Sequence, residues 1–122
     1  MKLENQVCSL ELAKKLKELG VKQDGIYSYY QFNERNVYLR ETSELHCANP
    51  MLNKENWICS AFTVAELGEM LPPPVFSYKV QNSPSNEYWK CNRDFGWSPC
   101  KEAGREADAR AKMLIYLLEE KK

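Results

Sequence analysis

Three arginines towards the C-terminal end, Arg93, Arg105 and Arg110, are the residues best suited to chemistry with an anion. A guanidinium presents a flat fork of N–H donors that fits phosphate or carboxylate better than a lysine's point charge. Arg105 and Arg110 stand five residues apart on a stretch that reads as helix, with Arg93 in the loop before it. Phe95, Trp97 and Trp89 lie close by in sequence and are of the type that stacks a base. Basic side chains near a helix N-terminus oppose the macrodipole unless paired, whereas an anion placed there is favoured by both dipole and arginines. Helix spacing offers a plainer alternative. Glu106 precedes Arg110 by four and Asp108 precedes Lys112 by four, the favourable order for ion pairs on a solvated face. On helix geometry alone the ion-paired face is the stronger reading.

Catalysis has no comparable constellation. The single histidine, His46, sits beside Cys47 in a polar stretch, and adjacent residues do not normally point so as to form a base and nucleophile pair. The carboxylate pairs Glu66 with Glu69 and Glu106 with Asp108 read as solubilising charge. No GxGxxG, Walker lysine or HExxH pattern occurs. Cys8, Cys47, Cys59, Cys91 and Cys100 are odd in number and lack CxxC spacing, so they read as small buried hydrophobes rather than disulfide partners or zinc ligands. The expectation is a binding protein with no catalytic residues, metal or cofactor.

The elements that would position these residues follow from periodicity. Residues 8–20 place Cys8, Leu12, Leu16 and Leu19 on one face of a helix that Ser9 or Asn5 can cap and Gly20 can end. Residues 26–32 and 37–40 read as a hairpin around a polar turn, with Tyr27, Tyr29, Tyr30 and Tyr38 as sheet packing. Residues 41–56 read as an irregular loop broken at Asn49-Pro50, and residues 57–62 as a further strand. Thr63 with Glu66 forms a capping box for a short helix over 64–71, which Pro72-Pro73-Pro74 stops. Residues 76–80 and 87–92 form a second hairpin. A long helix from about residue 99 to residue 120 closes the chain, its six apolar residues 113–118 calling for burial on most sides, either in the chain's own core alone or also against a partner chain. The fold class is α+β: a small antiparallel sheet of about five strands built from hairpins, with an N-terminal, a short middle and a long C-terminal helix.

At 122 residues the chain is a single domain, 1–122, able to bury about two-thirds of its unfolded surface. Seventeen basic and 17 acidic residues balance to zero, so no overall field draws in nucleic acid or an anionic membrane, and an anion site must be local. No apolar run approaches the roughly 18 residues of a membrane span, and residues 1–6 lack the apolar core of a signal peptide, which points to a soluble intracellular protein.

Three blocks, CSLELAKKLKELGVKQ at 8–23, SAFTVAELGEMLP at 60–72 and EADARAKMLIYLL at 106–118, cover about a third of the chain and its three helices. Together they resemble the small phage and prophage proteins of the first type of Thoeris anti-defence sponge. The resemblance implies a protein that is not an enzyme. Such proteins bind cyclic ADP-ribose isomers made by bacterial TIR-domain enzymes and hold them intact in the cytoplasm of the infected host, so that the defence effector stays inactive. Some members also take up cyclic dinucleotides at separate pockets, and the group assembles as dimers and higher homo-oligomers. A cyclised ADP-ribose carries a pyrophosphate, an adenine and two riboses. The residues suited to it here are Arg93, Arg105 and Arg110 for phosphate, with Arg40 from another subunit, Phe76, Phe95 or Trp97 for stacking, and Asn92 for ribose hydroxyls. Of these, only Arg110 lies within a shared block. A second class of function is a phage protein that docks a host protein through its tyrosine-rich hairpin or Pro72-Pro73-Pro74.

Overall fold

The computed structural model describes residues 2–33, 35–42, 56–71, 75–83, 86–93 and 100–120, with backbone alone at residues 32, 75, 76, 82, 83, 86 and 93. After a 3₁₀ turn over Leu3–Asn5, helix α1 spans Leu10–Glu18. It starts two residues later than the apolar pattern predicts because residues 7 and 8 are held in extended pairing: Val7 bridges Thr63, and the Cys8 N–H donates to the Phe62 carbonyl at 3.0 Å. At the other end Gly20 takes φ 92°, with Gly20 N–H to Lys17 O and Val21 N–H to Leu16 O both at 3.1 Å. Those two bonds close the helix in a Schellman motif, the role its glycine was expected to play.

Among the described residues, six strands form two three-stranded antiparallel sheets rather than one. In the first, β1 (Tyr27–Asn33) lies between β2 (Asn36–Glu41) and β3 (Trp57–Ala61). Tyr29 and Tyr30 are consecutive yet both buried, and the β1–β3 register shifts between them. The Tyr29 hydroxyl donates to the Cys8 carbonyl at 2.6 Å, tying α1's entry to this sheet. In the second sheet β5 (Asn86–Arg93) lies between β4 (Val75–Ser83) and β6 (Cys100–Ala103).

Between the sheets in sequence, helix α2 (Val64–Met70) carries the expected capping box: Glu66 N–H donates to Thr63 Oγ1 at 3.2 Å and Thr63 N–H to Glu66 Oε1 at 2.9 Å. Helix α3 (Glu106–Glu120) packs against all three strands of the second sheet and against α1 and α2. That enclosure accounts for its all-round apolar half. Met113, Leu114, Ile115 and Leu117 are buried within the chain's own core, and Tyr116 and Leu118 are half-buried against it.

One expectation is corrected. The closing helix does not begin near residue 99, because residues 100–103 pair with β5 through Asn92–Cys100, Cys91–Lys101, Lys90–Glu102 and Trp89–Ala103. The helix-forming Ala103 is drawn into a strand by β5's open edge, tertiary pairing overriding a weak intrinsic preference, and the helix starts only after Gly104. Among the described residues no helix is long and apolar enough to cross a membrane.

Candidate ligand-binding cleft

A cleft of about 840 Å³ opens where the N-terminal segment, the start of β1, the start of α2, the β4–β5 hairpin and the start of α3 meet. Backbone bonds fix its walls. Val64 N–H donates to the Gln6 carbonyl at 3.1 Å, so Asn5 and Gln6 line the cleft opposite the hairpin. On the hairpin, strand alternation sends Ser77, Lys79, Glu87, Trp89 and Cys91 to the α3 side of the sheet, with Lys79 directly across from Trp89. Trp89 is half-buried and packed on the core, while Lys79 Nζ and Glu87 Oε2 form an ion pair at 3.0 Å. Tyr27 and the exposed Ile26 complete an apolar rim.

Arg105 lines this cleft from the residue immediately before α3, where its carbonyl accepts from Ala109 N–H at 3.1 Å. Its Nε and Nη2 both contact Asp108 Oδ2 at 3.1 Å, and Nη1 donates to the Glu4 carbonyl. Asp108 Oδ1 in turn accepts from Ser9 N–H at 2.7 Å, so one carboxylate orients the guanidinium and anchors the start of α1. Of the five N–H donors of Arg105, three are taken by these bonds among the described residues, leaving two for a ligand.

Arg110 has a different position. Its Nη2 pairs with Glu106 Oε2 at 3.2 Å, Nε donates to Ser77 Oγ at 2.9 Å, and Nη1 donates to the Val64 carbonyl at 2.7 Å. Ser77 Oγ also donates to Glu106 Oε2 at 2.5 Å. The ion pair with Glu106 is the one its spacing foretold, but in place of a solvated face the guanidinium is a partly covered brace joining α3 to β4 and α2 behind the cleft wall. Glu106 faces the cleft while Arg110 is not part of its lining.

The other sequence candidates are not brought together with Arg105. Arg40 lies on exposed strand β2 over the Tyr38 ring, 5.7 Å from its centroid, in a separate depression of about 410 Å³ that includes Glu4. Asn92 alternates to the sheet face opposite Trp89, where its Oδ1 is buried without a hydrogen-bond partner among the described residues. Phe76 is the Cα partner of Asn92, and Arg93 pairs with Val75 at the end of β5; both are known by backbone position alone. Phe95, Trp97, His46, Cys47 and Pro72-Pro73-Pro74 lie outside the described residues. Sequence reasoning missed Lys79, Glu87, Gln6 and Tyr27 as cleft residues. The alternation of 76–80 and 87–92 contained the first two, but only the register identifies them as neighbours of Trp89.

Burial sets the chemistry of the thiols. It pushes Cys8 up to about 12 and Cys59 and Cys91 up to about 11, so these three stay protonated at neutral pH and are poor nucleophiles. Cys100 is exposed on β6. Among the described residues no group of three or more His, Cys, Asp or Glu could hold a metal ion. Compared with known protein families, with curated proteins and with solved structures, the chain matches none.

Proposed function

We propose that this protein is a non-enzymatic sponge that binds a cyclic ADP-ribose-type nucleotide in the cleft between the two sheets. The observation that carries the reading is the convergence, in one 840 Å³ cleft, of the oriented Arg105 fork with the Trp89 and Tyr27 rings and the amide-bearing segment of Asn5 and Gln6. The volume suits a small organic ligand. Arg105, immediately before a 15-residue helix, takes a phosphate; an aromatic ring takes the adenine; amides take ribose hydroxyls.

Together with the three sequence blocks, this reading makes the chain a phage protein acting in the cytoplasm of an infected bacterium to keep a TIR-derived messenger from the Thoeris effector. Sequestration works by mass action: sites must outnumber messenger and bind below the effector's threshold. Nanomolar affinity, about 12 kcal/mol, meets that need. Homo-oligomerisation belongs to the same reading. Because the apolar half of α3 is used by the chain's own core, assembly would use other surfaces, and the exposed β2 edge carrying Val37 and Arg40 is the one that would bring Arg40 to a neighbour.

The test is direct. Incubate the protein with a cyclic ADP-ribose isomer, remove free ligand by gel filtration, heat-denature, and identify what is released. Intact messenger, lost in Arg105→Ala, is the expected result. No retention, or recovery of cleaved product alone, refutes the sponge. The alternative of docking a host protein has less support, since Tyr29 and Tyr30 of the tyrosine-rich hairpin are buried in the fold.

A further inference from the structure

We infer that Glu87 makes the cleft selective for nucleotides whose phosphates are all internal diesters, turning away those that extend a pyrophosphate with a terminal phosphomonoester charge, such as ADP and ATP. The inference rests on the reading of the cleft as a nucleotide site. It starts from the charge of the lining. Lys79 and Arg105 contribute two cations, Glu87 and Glu106 two carboxylates, and each cation is already paired: Lys79 with Glu87 at 3.0 Å, Arg105 with Asp108 at 3.1 Å. Behind the wall, Arg110 is committed to Glu106. The cleft has no surplus positive charge.

Each phosphate of a cyclised pyrophosphate carries one negative charge, two in all spread over both phosphorus centres, and the two remaining Arg105 donors meet one of them. A terminal phosphate carries about −1.5 to −2 at pH 7 and requires a second cation. Lys79 is the second cation of the lining, and drawing it away would leave the Glu87 carboxylate facing the dianion. Distance makes this relevant. Glu87 and Trp89 are two residues apart on β5 and share a face, a separation of about 7 Å at the rise of a strand. A base stacked on Trp89 therefore places its attached phosphates within reach of Glu87. Since Lys79 and Glu87 are about half exposed, water and salt soften the repulsion, and the effect is one of discrimination rather than outright exclusion. For a sponge the consequence is practical, because a site blind to terminal phosphates would be filled by the cell's mononucleotides.

The experiment is calorimetric titration of the wild type, Glu87→Gln and the double variant Lys79→Gln/Glu87→Gln with two probes, cyclic ADP-ribose and ADP, at pH 7.5 and low salt. The wild type should prefer cyclic ADP-ribose. Glu87→Gln should tighten ADP about threefold more than it tightens cyclic ADP-ribose, whose charge is spread over two phosphates, and the double variant should lose that gain. Lowering the pH to 5.5 should narrow the wild type's preference in the same direction, because the terminal phosphate takes up a proton with a pKa of about 6. If the wild type binds cyclic ADP-ribose but the ratio of the two affinities is unmoved in Glu87→Gln, the inference is overturned and the nucleotide reading stands. If neither probe binds, both are overturned.

Discussion

Gly68→Ala separates the bracing role of Arg110 from the ordinary behaviour of a helix surface. Position 68 lies within α2, where alanine exceeds glycine in helix propensity by about 1 kcal/mol, so the substitution would normally stabilise. Here a Cβ would fall well inside contact distance of Arg110 Nη1, the atom that donates to the Val64 carbonyl at 2.7 Å. Arg110 must then withdraw. A hydrogen bond made by a charged group contributes about 1.5–3 kcal/mol, and withdrawal also loosens the contacts to Ser77 and Glu106. With the Arg110 side chain 22% exposed, water recovers part of that loss. Setting about 2–3 kcal/mol of lost bonding against 1 of propensity gives a net destabilisation of about 1–2 kcal/mol. In an Arg110→Ala background the obstruction is gone, and Gly68→Ala should stabilise by up to about 1 kcal/mol. Urea denaturation of the four proteins, followed by circular dichroism, gives the coupling from the double-mutant cycle, expected at about 2–3 kcal/mol. Additivity within about 0.5 kcal/mol would refute the brace.

Other consequences are simpler. Thr63→Ala removes the α2 cap and should cost about 1 kcal/mol, whereas Glu66→Ala should cost more, because Glu66 Oε2 also accepts from Ile26 N–H at 3.0 Å; equal costs by urea denaturation would contradict this. The thiols predict a loss of stability at high pH. Unfolded cysteines ionise near 9, while burial holds Cys59 and Cys91 protonated to about 11 and Cys8 to about 12. The folded state's advantage is therefore complete below pH 9 and falls as pH rises through 9 towards 11–12, by up to about 1.4 kcal/mol per thiol per pH unit, and denaturation midpoints at pH 8 and 10 should show it. Maleimide labelling of the native protein, read by peptide mass mapping, should modify Cys100 well before Cys8, Cys59 or Cys91. Trp89→Ala should weaken nucleotide binding by about 1–3 kcal/mol in calorimetry if the indole stacks the base, and by much less if it only packs on the core.

How much of this was legible in the sequence depends on the range of the interactions. The capping box at Thr63 and Glu66 and the helix stop at Gly20 were readable because their partners lie three to five residues away. Both hairpins were readable from alternation. The start of α3 was not, because the competitor for residues 100–103 is a strand edge some ten residues upstream, and propensity carries no information about it. A division into two sheets was hidden for the same reason, since alternation identifies strands without saying which will pair. The site divides along similar lines. Arg105 and Arg110 were visible as a pair, but their different fates depend on Asp108 and Glu4 for one and on Ser77 and Val64 for the other. Three of those four partners come from elsewhere in the chain. Lys79 and Glu87 needed the hairpin register to become neighbours of Trp89.

The bond pattern also links the cleft to the stability of the whole chain. Asp108 holds Arg105 with one oxygen and the Ser9 N–H with the other, while the Gln6 carbonyl receives the first N–H of α2. The segment that carries Asn5 and Gln6 is thus fixed to α3 and α2 by the same groups that orient the guanidinium. A ligand spanning from Arg105 to that segment would bridge two parts of the fold that must already be docked for the cleft to exist. Such a ligand binds the folded chain and not the unfolded one, so a tight complex raises stability by about 4 kcal/mol once ligand reaches a thousandfold its dissociation constant. The converse also holds: loosening Asp108 would weaken binding without touching a ligand atom, because the Arg105 fork would lose its orientation and the cleft its wall. Arg105 and the N-terminal clasp are one hydrogen-bonded unit, so retention of an anion in the proposed site would be coupled to folding through it.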